Sequence, residues 1–398
     1  MTEMNVSNLA QAAEAIEYAK SEELRLEVVG GGSKAGLGRQ ERYDAVLDLS
    51  SMAGVVDYQP EELVLTLRAG TPMAEIESLL AEANQMLAFE APDYGALLGG
   101  GKTHGGTIGG LVATNLSGPR RLTAGAARDY LLGFEAVSGR GEQFKSGGKV
   151  MKNVTGYDLS KLMCGSYGTL AVMDEITLKT LPRPETSSSL IFPAQSYAEA
   201  VRLIARLFAS PHEPGSAAIL PRDIAVKAGV TLDADFVGVV RLEGIKVSVN
   251  DRFAGLQTIV PGDRLEAAVS RKLWARIRDV DLLTDRRCDV WKLSCAPAEA
   301  AQIVEMITAR HDVDYFADWA GGLVWITGPE TTLGETIRQS IAGAQSGFAM
   351  LVRDVAATRD RIAPLQPIAP PLFALHKRVK AAFDPLAVLN HGRMHAGV

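Results

Sequence analysis

The chain has 398 residues, 47% of them hydrophobic and 22% charged, with a formal net charge of −6. That length suits roughly two or three compact units with sizeable cores, and the acidic balance excludes a general nucleic-acid binder, which carries a basic surplus. No apolar run is long enough to cross a bilayer, and residues 1–10 lack the basic and apolar regions of a signal peptide, so a cytoplasmic protein is expected. Three cysteines, Cys164, Cys288 and Cys295, are widely spaced. Such spacing belongs to reduced thiols and to neither a disulfide framework nor an iron–sulfur site.

Residues 8–20 read as a helix capped by Ser7. Residues 24–29 alternate apolar and polar side chains, as a strand does, and run directly into Gly30-Gly31-Gly32-Ser33. Strands follow at 44–49, 55–58 and 63–68. Thr71-Pro72 then opens a helix reaching about Asn84, with a hydroxyl cap and a proline in the first turn. A second glycine cluster, 99–110, is placed between a helix and a strand. Beyond it come strands at 131–137 and 142–145, a helix at 158–164, and one strand or two at 170–181. Pro182-Arg183-Pro184 followed by Ser187-Ser188-Ser189 marks a boundary. From Leu190 to about Arg353 strands and helices alternate (190–192, 197–208, 236–242, 290–295, 298–310, 323–326, 333–342, 348–352). This matches an antiparallel sheet of the split βαβ kind, one face covered by helices. A proline-rich link at 363–371 leads to a last helix and a tail.

The glycine clusters carry the chemistry. Residues 30–38 read GGGSKAGLG and residues 99–110 read GGGKTHGGTIGG. Without a Cβ, backbone N–H groups can converge on phosphate oxygens. One such loop would pass as a flexible turn; two, each with Ser, Thr or Lys embedded, point to an anionic ligand. Separately, each imitates a different nucleotide motif. Gly32 to Gly38 fits G-x-x-x-G-x-G and Tyr157…Lys161 fits Y-x-x-x-K, the pattern of a short-chain dehydrogenase whose tyrosine donates a proton. That fold needs a helix opening inside the glycines, whereas here Arg39-Gln40-Glu41-Arg42-Tyr43 and a strand follow. Residues 96–103 fit a relaxed phosphate loop, which requires a helix starting at Lys102. Residues 104–110 make a poor helix, since each glycine costs about 1 kcal/mol relative to alanine.

Together, the clusters fall into a longer succession. A strand and GGGS are followed by a Thr-Pro helix and by Thr107-Ile108-Gly109-Gly110…Thr114-Asn115…Gly118. Then come Asn153-Val154-Thr155-Gly156-Tyr157-Asp158-Leu159 and Cys164-Gly165-Ser166-Tyr167-Gly168-Thr169-Leu170. In this order and spacing, residues 24–184 resemble the vanillyl-alcohol-oxidase, or PCMH-type, FAD-binding family. The tail Asp384-Pro385…Asn390…Gly392-Arg393 resembles the end that returns to the flavin. Several further segments narrow the resemblance to the smaller flavin subunit of bacterial glycolate oxidases. They are Leu116-Ser117-Gly118-Pro119-Arg120-Arg121, Val150-Met151-Lys152-Asn153-Val154, Leu162-Met163-Cys164, Trp291-Lys292-Leu293-Ser294 and Asp318-Trp319-Ala320-Gly321-Gly322.

The resemblance implies an α+β chain: a two-subdomain PCMH-type FAD-binding domain (1–184), a smaller split-βαβ cap (185–360) and a C-terminal tail (361–398) returning to the first domain. It implies that Gly30, Gly31, Gly32, Ser33, Lys34, Gly36, Leu37 and Gly38 hold the pyrophosphate. Thr107, Ile108, Gly109, Gly110, Ala113, Thr114, Asn115 and Gly118 would line the second side of FAD. Gly165, Ser166, Gly168, Thr169 and Val172 would complete the adenine and ribitol region. Asn390 and Arg393 would lie near the flavin ring, where a cation stabilises the reduced anionic form. Tyr157 and Asp158 are read as fixing local backbone.

Many members of the family attach FAD through a histidine in the first loop; none lies in 30–38, so FAD is expected to bind non-covalently. His104 is read as a hydrogen-bonding or exposed residue, and His391 stands where relatives have proline. His391 and His395 are spaced like zinc ligands on a helix, but Gly392 and the want of an acidic companion favour packed or surface roles, and no metal is expected. No catalytic residue is assigned; structural roles are favoured for Arg353, Trp319 and His391. By resemblance, the partners are a larger flavin subunit and an iron–sulfur subunit, and the substrate of the complex is a small 2-hydroxy acid, glycolate. Electrons would pass through flavin to the iron–sulfur partner, and any membrane contact would be made through partners. The alternatives are a self-sufficient FAD-dependent oxidoreductase of another small 2-hydroxy acid and a structural subunit with a non-catalytic flavin.

Overall fold

The computed structural model describes residues 2–99, 106–148, 156–329, 331–355 and 357–398. The second glycine cluster is therefore described from Gly106 onward, and Lys102, Thr103, His104 and the 150–155 segment lie outside the described residues. The chain forms two compact units. Unit 1 holds Met1–Ser117, Gly125–Pro182 and Pro367–Val398; unit 2 holds Gly118–Ala124 and Arg183–Gln366.

Unit 1 contains β1 (Thr2–Asn5), β2 (Leu26–Val29), β3 (Ala45–Asp48), β4 (Val55–Gln59), β5 (Val64–Arg68), β6 (Gln85–Met86), β7 (Leu131–Ser138), β8 (Gln143–Gly147), β9 (Ala171–Lys179) and β10 (Leu181–Pro182). A parallel sheet runs β1-β3-β2 and an antiparallel one β4-β5-β9-β7-β8, while β6 and β10 pair alone. Residues 170–181 are thus two strands. The helix Leu9–Ser21 buries Ala12, Ile16 and Ala19 in a core with Leu26, Ala45 and Leu47. Its cap is Asn8, whose side chain accepts the Gln11 N–H, and not Ser7, whose N–H and hydroxyl both go to Gln11 Oε1. Thr71 is likewise no helix cap: its hydroxyl bonds Gly54 and the Arg68 carbonyl, and the helix Met73–Glu82 starts behind Pro72.

The element after the second glycine cluster is a helix, Ile108–Thr114, and not a strand. Its glycine cost is overridden by packing: a Cβ on Gly109 would sit 2.8 Å from the Ala69 carbonyl oxygen, so only glycine lets helix and β5 end approach this closely.

Unit 2 is one antiparallel sheet of β11 (Thr186–Ala194), β12 (Ser216–Pro221), β13 (Phe236–Gly244), β14 (Asp263–Leu265), β15 (Asp289–Cys295), β16 (Asp314–Asp318), β17 (Leu323–Gly328) and β18 (Gly347–Arg353). The order is β14-β11-β13-β12-β16-β17-β15-β18. Each half is a split β-α-β-β-α-β module with the same internal order. In the first half β13 lies between β11 and β12; in the second β17 lies between β15 and β16. The halves meet where Ile219 pairs with Ala317.

Along the strands, Leu190, Phe192, Val240, Leu242, Trp291, Leu293, Val324 and Ile326 alternate into one core with the helices Tyr197–Phe208, Lys246–Ile259, Pro297–Thr308 and Leu333–Ala342. The opposite face is not bare. Ser187 and Ser189 hydrogen-bond Ser270, and Ser189 accepts the Trp274 indole N–H at 2.8 Å, which seats the helix Ala267–Arg278 there. Residues 118–124 are tied into this unit by Arg120, whose guanidinium grips Glu243 of β13 through two 2.7 Å bonds, and by Thr123 donating to the Gly215 carbonyl. Among the described residues no helix is long and apolar enough to cross a membrane.

Candidate functional site

A pocket opens in unit 1 where β2 gives way to the first glycine loop. Its empty volume is about 520 Å³ with the open mouth included. Four segments build it: residues 27–35, the helix 108–114 with its cap Thr107, the turn at Tyr167, and the returning tail with Asn390 and Arg393.

The first two segments interlock. A Cβ on Gly30 would stand 2.7 Å from Thr107 Oγ1, and one on Gly106 would collide with Ser33 Oγ and come within 2.6 Å of Lys34 Nζ. The loop folds back on itself, with Ala35 N–H donating to the Gly32 carbonyl and Leu37 N–H to that of Lys34. The backbone N–H groups of Gly30, Gly32 and Ser33 donate to no acceptor among the described residues. Lys34 Nζ donates to Ser33 Oγ at 3.2 Å. Burial pushes the Lys34 ammonium down to about 8, partly offset by Asp93. Amide donors and a buried cation facing one cavity form a cradle for an anion such as a pyrophosphate.

The tail is held as a strand-like edge. Leu26 N–H donates to the Val388 carbonyl and Asn390 N–H to that of Leu26, while Val28 N–H donates to Asn390 Oδ1 at 2.8 Å. The Asn390 amide also donates to the Tyr167 carbonyl, joining β2 to the Gly165–Thr169 turn. Arg393 makes four hydrogen bonds, to the carbonyls of Leu37, Ala35 and Lys34 and to Glu27 Oε1. It is a clamp on the back of the first loop and also lines the pocket. Gly38, at φ 77°, is required by this clamp, because a Cβ would lie 2.6 Å from the Arg393 carbonyl oxygen. Lys380, buried, anchors the tail from below through the carbonyls of Thr169 and Leu389 and the carboxylate of Asp384.

Of the residues expected at the site, Gly30, Gly31, Gly32, Ser33, Lys34, Thr107, Gly110, Ala113, Thr114, Asn390 and Arg393 line the pocket. Gly36, Leu37 and Gly38 form the rear of the loop, and Leu37 is fully buried. Ile108 and Val172 are core residues, and Gly109 packs on Ala69. Asn115 accepts the Arg128 N–H. Gly165, Ser166, Gly168 and Thr169 form a turn docked on the helix, with Gly165 N–H donating to Val112 and Tyr167 N–H to Ala113. Gly118 lies in unit 2, where its carbonyl accepts the Trp319 indole N–H. Glu27, Val28, Val29, Ala35 and Tyr167 also line the pocket. Burial pushes the Tyr167 phenol up to about 12, so it stays protonated at physiological pH. Tyr167 is held at φ 56°, a conformation that glycine would signal in a sequence and tyrosine does not.

Away from the pocket, Arg353 donates to the carbonyls of Cys288, Leu283 and Arg286, a structural set. The ring of His395 stands 5.8 Å from that of His376, and Nδ1 of His391 is buried without a hydrogen-bond partner among the described residues.

A sequence family described as FAD binding domain matches residues 4–147. The glycolate oxidase subunit GlcE of Escherichia coli (strain K12) is 34% identical over 386 residues, 96% of each chain. A D-lactate dehydrogenase of Anaerostipes hadrus is 29% identical over 202 residues, 51% of this chain and 39% of its own. The solved structure of p-cresol methylhydroxylase with substrate bound aligns with 99% of this chain and 88% of its own at a TM-score of 0.72 and 15% identity, a likeness of fold.

Proposed function

We propose, for a chain that belongs to the family of the glycolate oxidase subunit GlcE, that it is the non-covalent FAD-binding subunit of a glycolate-oxidising complex. The observation that carries the reading is the cradle, in which two interlocked glycine segments surround unsatisfied amide donors and the Lys34 cation. These groups suit the pyrophosphate of a dinucleotide. Unit 1, residues 1–117, 125–182 and 367–398, acts as the FAD-binding domain, and unit 2 acts as the cap. When bound, the flavin supplies two-electron redox chemistry. The protein's own residues bind and orient it: the amides of Gly30, Gly32 and Ser33 and the Lys34 ammonium take the phosphates. Gly110, Ala113, Thr114 and Tyr167 shape the remaining wall. Asn390 and Arg393 keep loop, turn and tail in register, so that the cradle is preorganised.

The family relationship supports glycolate as substrate at the level of the complex. A larger flavin subunit and an iron–sulfur subunit are the partners, and electrons leave this chain's flavin toward the latter. The test is reconstitution. Purified chain mixed with glycolate and an electron-accepting dye should show no turnover, and addition of the two partner subunits should produce it. Glycolate bleaching the flavin of the isolated chain would instead mark a self-sufficient enzyme, and full complex activity with a flavin-free chain would mark a structural subunit.

A further inference from the structure

The tail that lines the pocket carries two histidines that the cradle does not use. His391 stands between Asn390 and Gly392, and His395 follows Arg393 and Met394. Both are half-buried. The His395 ring meets that of His376, on the helix Pro370–Phe383, with centroids 5.8 Å apart and planes at 59°. Nδ1 of His391 is buried without a hydrogen-bond partner among the described residues. Among those residues none of the three imidazoles forms an ion pair.

The charges around the two rings come from several elements. Arg39, behind the first loop, faces His395. Lys380 and Arg25 face His391 as cations, and Asp384 and Glu41 face it as anions. Both carboxylates are already engaged. Asp384 accepts from the Lys380 ammonium and from the Val388 and Leu389 N–H groups, and Glu41 pairs with Arg39 at 2.9 Å. A neutral imidazole fits this packing, whereas an imidazolium brings a charge into a half-buried site with no carboxylate bonded to it. The same segment completes the pocket. Arg39 N–H donates to the Arg393 carbonyl at 2.7 Å, Gly392 N–H to the Val398 oxygen and Val398 N–H to the His395 carbonyl. Asn390 and Arg393 line the cavity, so a displaced 390–395 segment takes one wall with it.

We propose that His391 and His395 make the tail an acid-sensitive latch: neutral, they let residues 390–395 pack on the first loop, and protonated, they drive that segment off and open the pocket for its ligand to exchange. Only the identity of that ligand as FAD rests on the function proposed above. The sign follows from the surroundings. Desolvation, then the Lys380 and Arg25 charges, hold docked His391 below its ordinary value, with Asp384 and Glu41 opposing; desolvation, then His376 and Arg39, do the same to His395. A released tail restores the ordinary value of about 6.5. Protons therefore favour release: the latch is intact above pH 6.5 and weakens as the pH falls below it. It acts on rate, because ligand leaves through the opened form while the docked form still predominates.

Hydrogen exchange of the full chain, flavin-free and flavin-loaded, at pH 7.5 and 5.5 and corrected for intrinsic rates, reads the opening equilibrium of residues 388–398. That equilibrium should rise about tenfold at pH 5.5, with no such rise in the helix Leu9–Ser21, which has no histidine. Release of FAD, followed as returning flavin fluorescence on dilution, should quicken by a similar factor. The His391→Gln/His395→Gln double variant should lose most of both changes. An undiminished rise in that variant, an equal rise in the helix Leu9–Ser21, or a release rate that stays constant while the tail opens would overturn the proposal. Should the double variant not fold, His395→Gln alone should show a smaller rise than the wild type, and an unchanged one would overturn it. Acid-dependent opening in protein that takes up no FAD would sink the flavin reading and leave the latch standing; FAD uptake with a tail whose exchange ignores pH would do the reverse.

Discussion

Raising the pH from 7 to 9 is expected to weaken FAD binding about tenfold through Lys34. Its ammonium is buried beside Ser33 and held at about 8, with desolvation lowering it and Asp93 opposing. With that value, about ten molecules in eleven carry the cation at pH 7 and about one in eleven at pH 9. A pyrophosphate binds the cationic form, so the sign is fixed: affinity is full below pH 8 and declines by about tenfold per unit above it, until the pKa in the complex is reached. The same linkage requires the complex to take up about half a proton at pH 8. Quenching of flavin fluorescence gives the two dissociation constants, and calorimetry in buffers of different ionisation enthalpy counts the proton. Lys34→Met should weaken binding at pH 7 by about one to two orders of magnitude, as expected for a charge-assisted contact, and should flatten the pH dependence. Equal affinities at pH 7 and 9, or a wild-type slope retained in Lys34→Met, would refute the placement of this lysine on the phosphates.

Two further substitutions probe the scaffold. Lys380→Met removes three bonds of 2.6–2.8 Å and takes the cation from the buried Asp384 carboxylate, which keeps the N–H bonds of Val388 and Leu389; a loss of about 3 kcal/mol is expected, read as a lower urea midpoint. Gly38→Ala places a Cβ 2.6 Å from the Arg393 carbonyl oxygen at φ 77°. It should cost about 1–3 kcal/mol and weaken FAD binding as the clamp loosens, measured by thermal melting and flavin titration together.

Much of this site was legible because glycine leaves an unambiguous mark. The loop after β2 and the turn near Gly165 are both places where the backbone must approach closely or adopt a left-handed φ, and glycine stands there. The helices Tyr197–Phe208 and Leu333–Ala342 were equally plain, since their apolar residues recur at helical spacing. Other elements carried no such signal. β12 reads Ser-Ala-Ala-Ile-Leu-Pro and is buried on both faces, so it lacks alternation. The helix Ala267–Arg278 turns Ser270 inward to bond Ser187 and Ser189, hiding its buried face behind a polar residue. The helix at Ile108 was obscured by Gly109 and Gly110, whose intrinsic cost is outweighed by packing, above all the contact of Gly109 with Ala69. Arg393 was placed at the flavin by its position in a motif; three of its partners are backbone carbonyls 356 to 359 residues away and the fourth is the Glu27 carboxylate, which no pattern of side chains announces. The two similar halves of unit 2 share strand order without a sequence repeat, because the topology needs only alternation and turns.

FAD held without a covalent bond is the property on which every other role of this chain depends. The direct measurement is an absorbance spectrum of the purified chain, followed by acid precipitation and analysis of both fractions. A flavin spectrum on the native protein, with FAD recovered whole in the supernatant, is the predicted result. Flavin retained in the pellet would contradict non-covalent binding, and a colourless protein that cannot be reconstituted with FAD would contradict the account at its root.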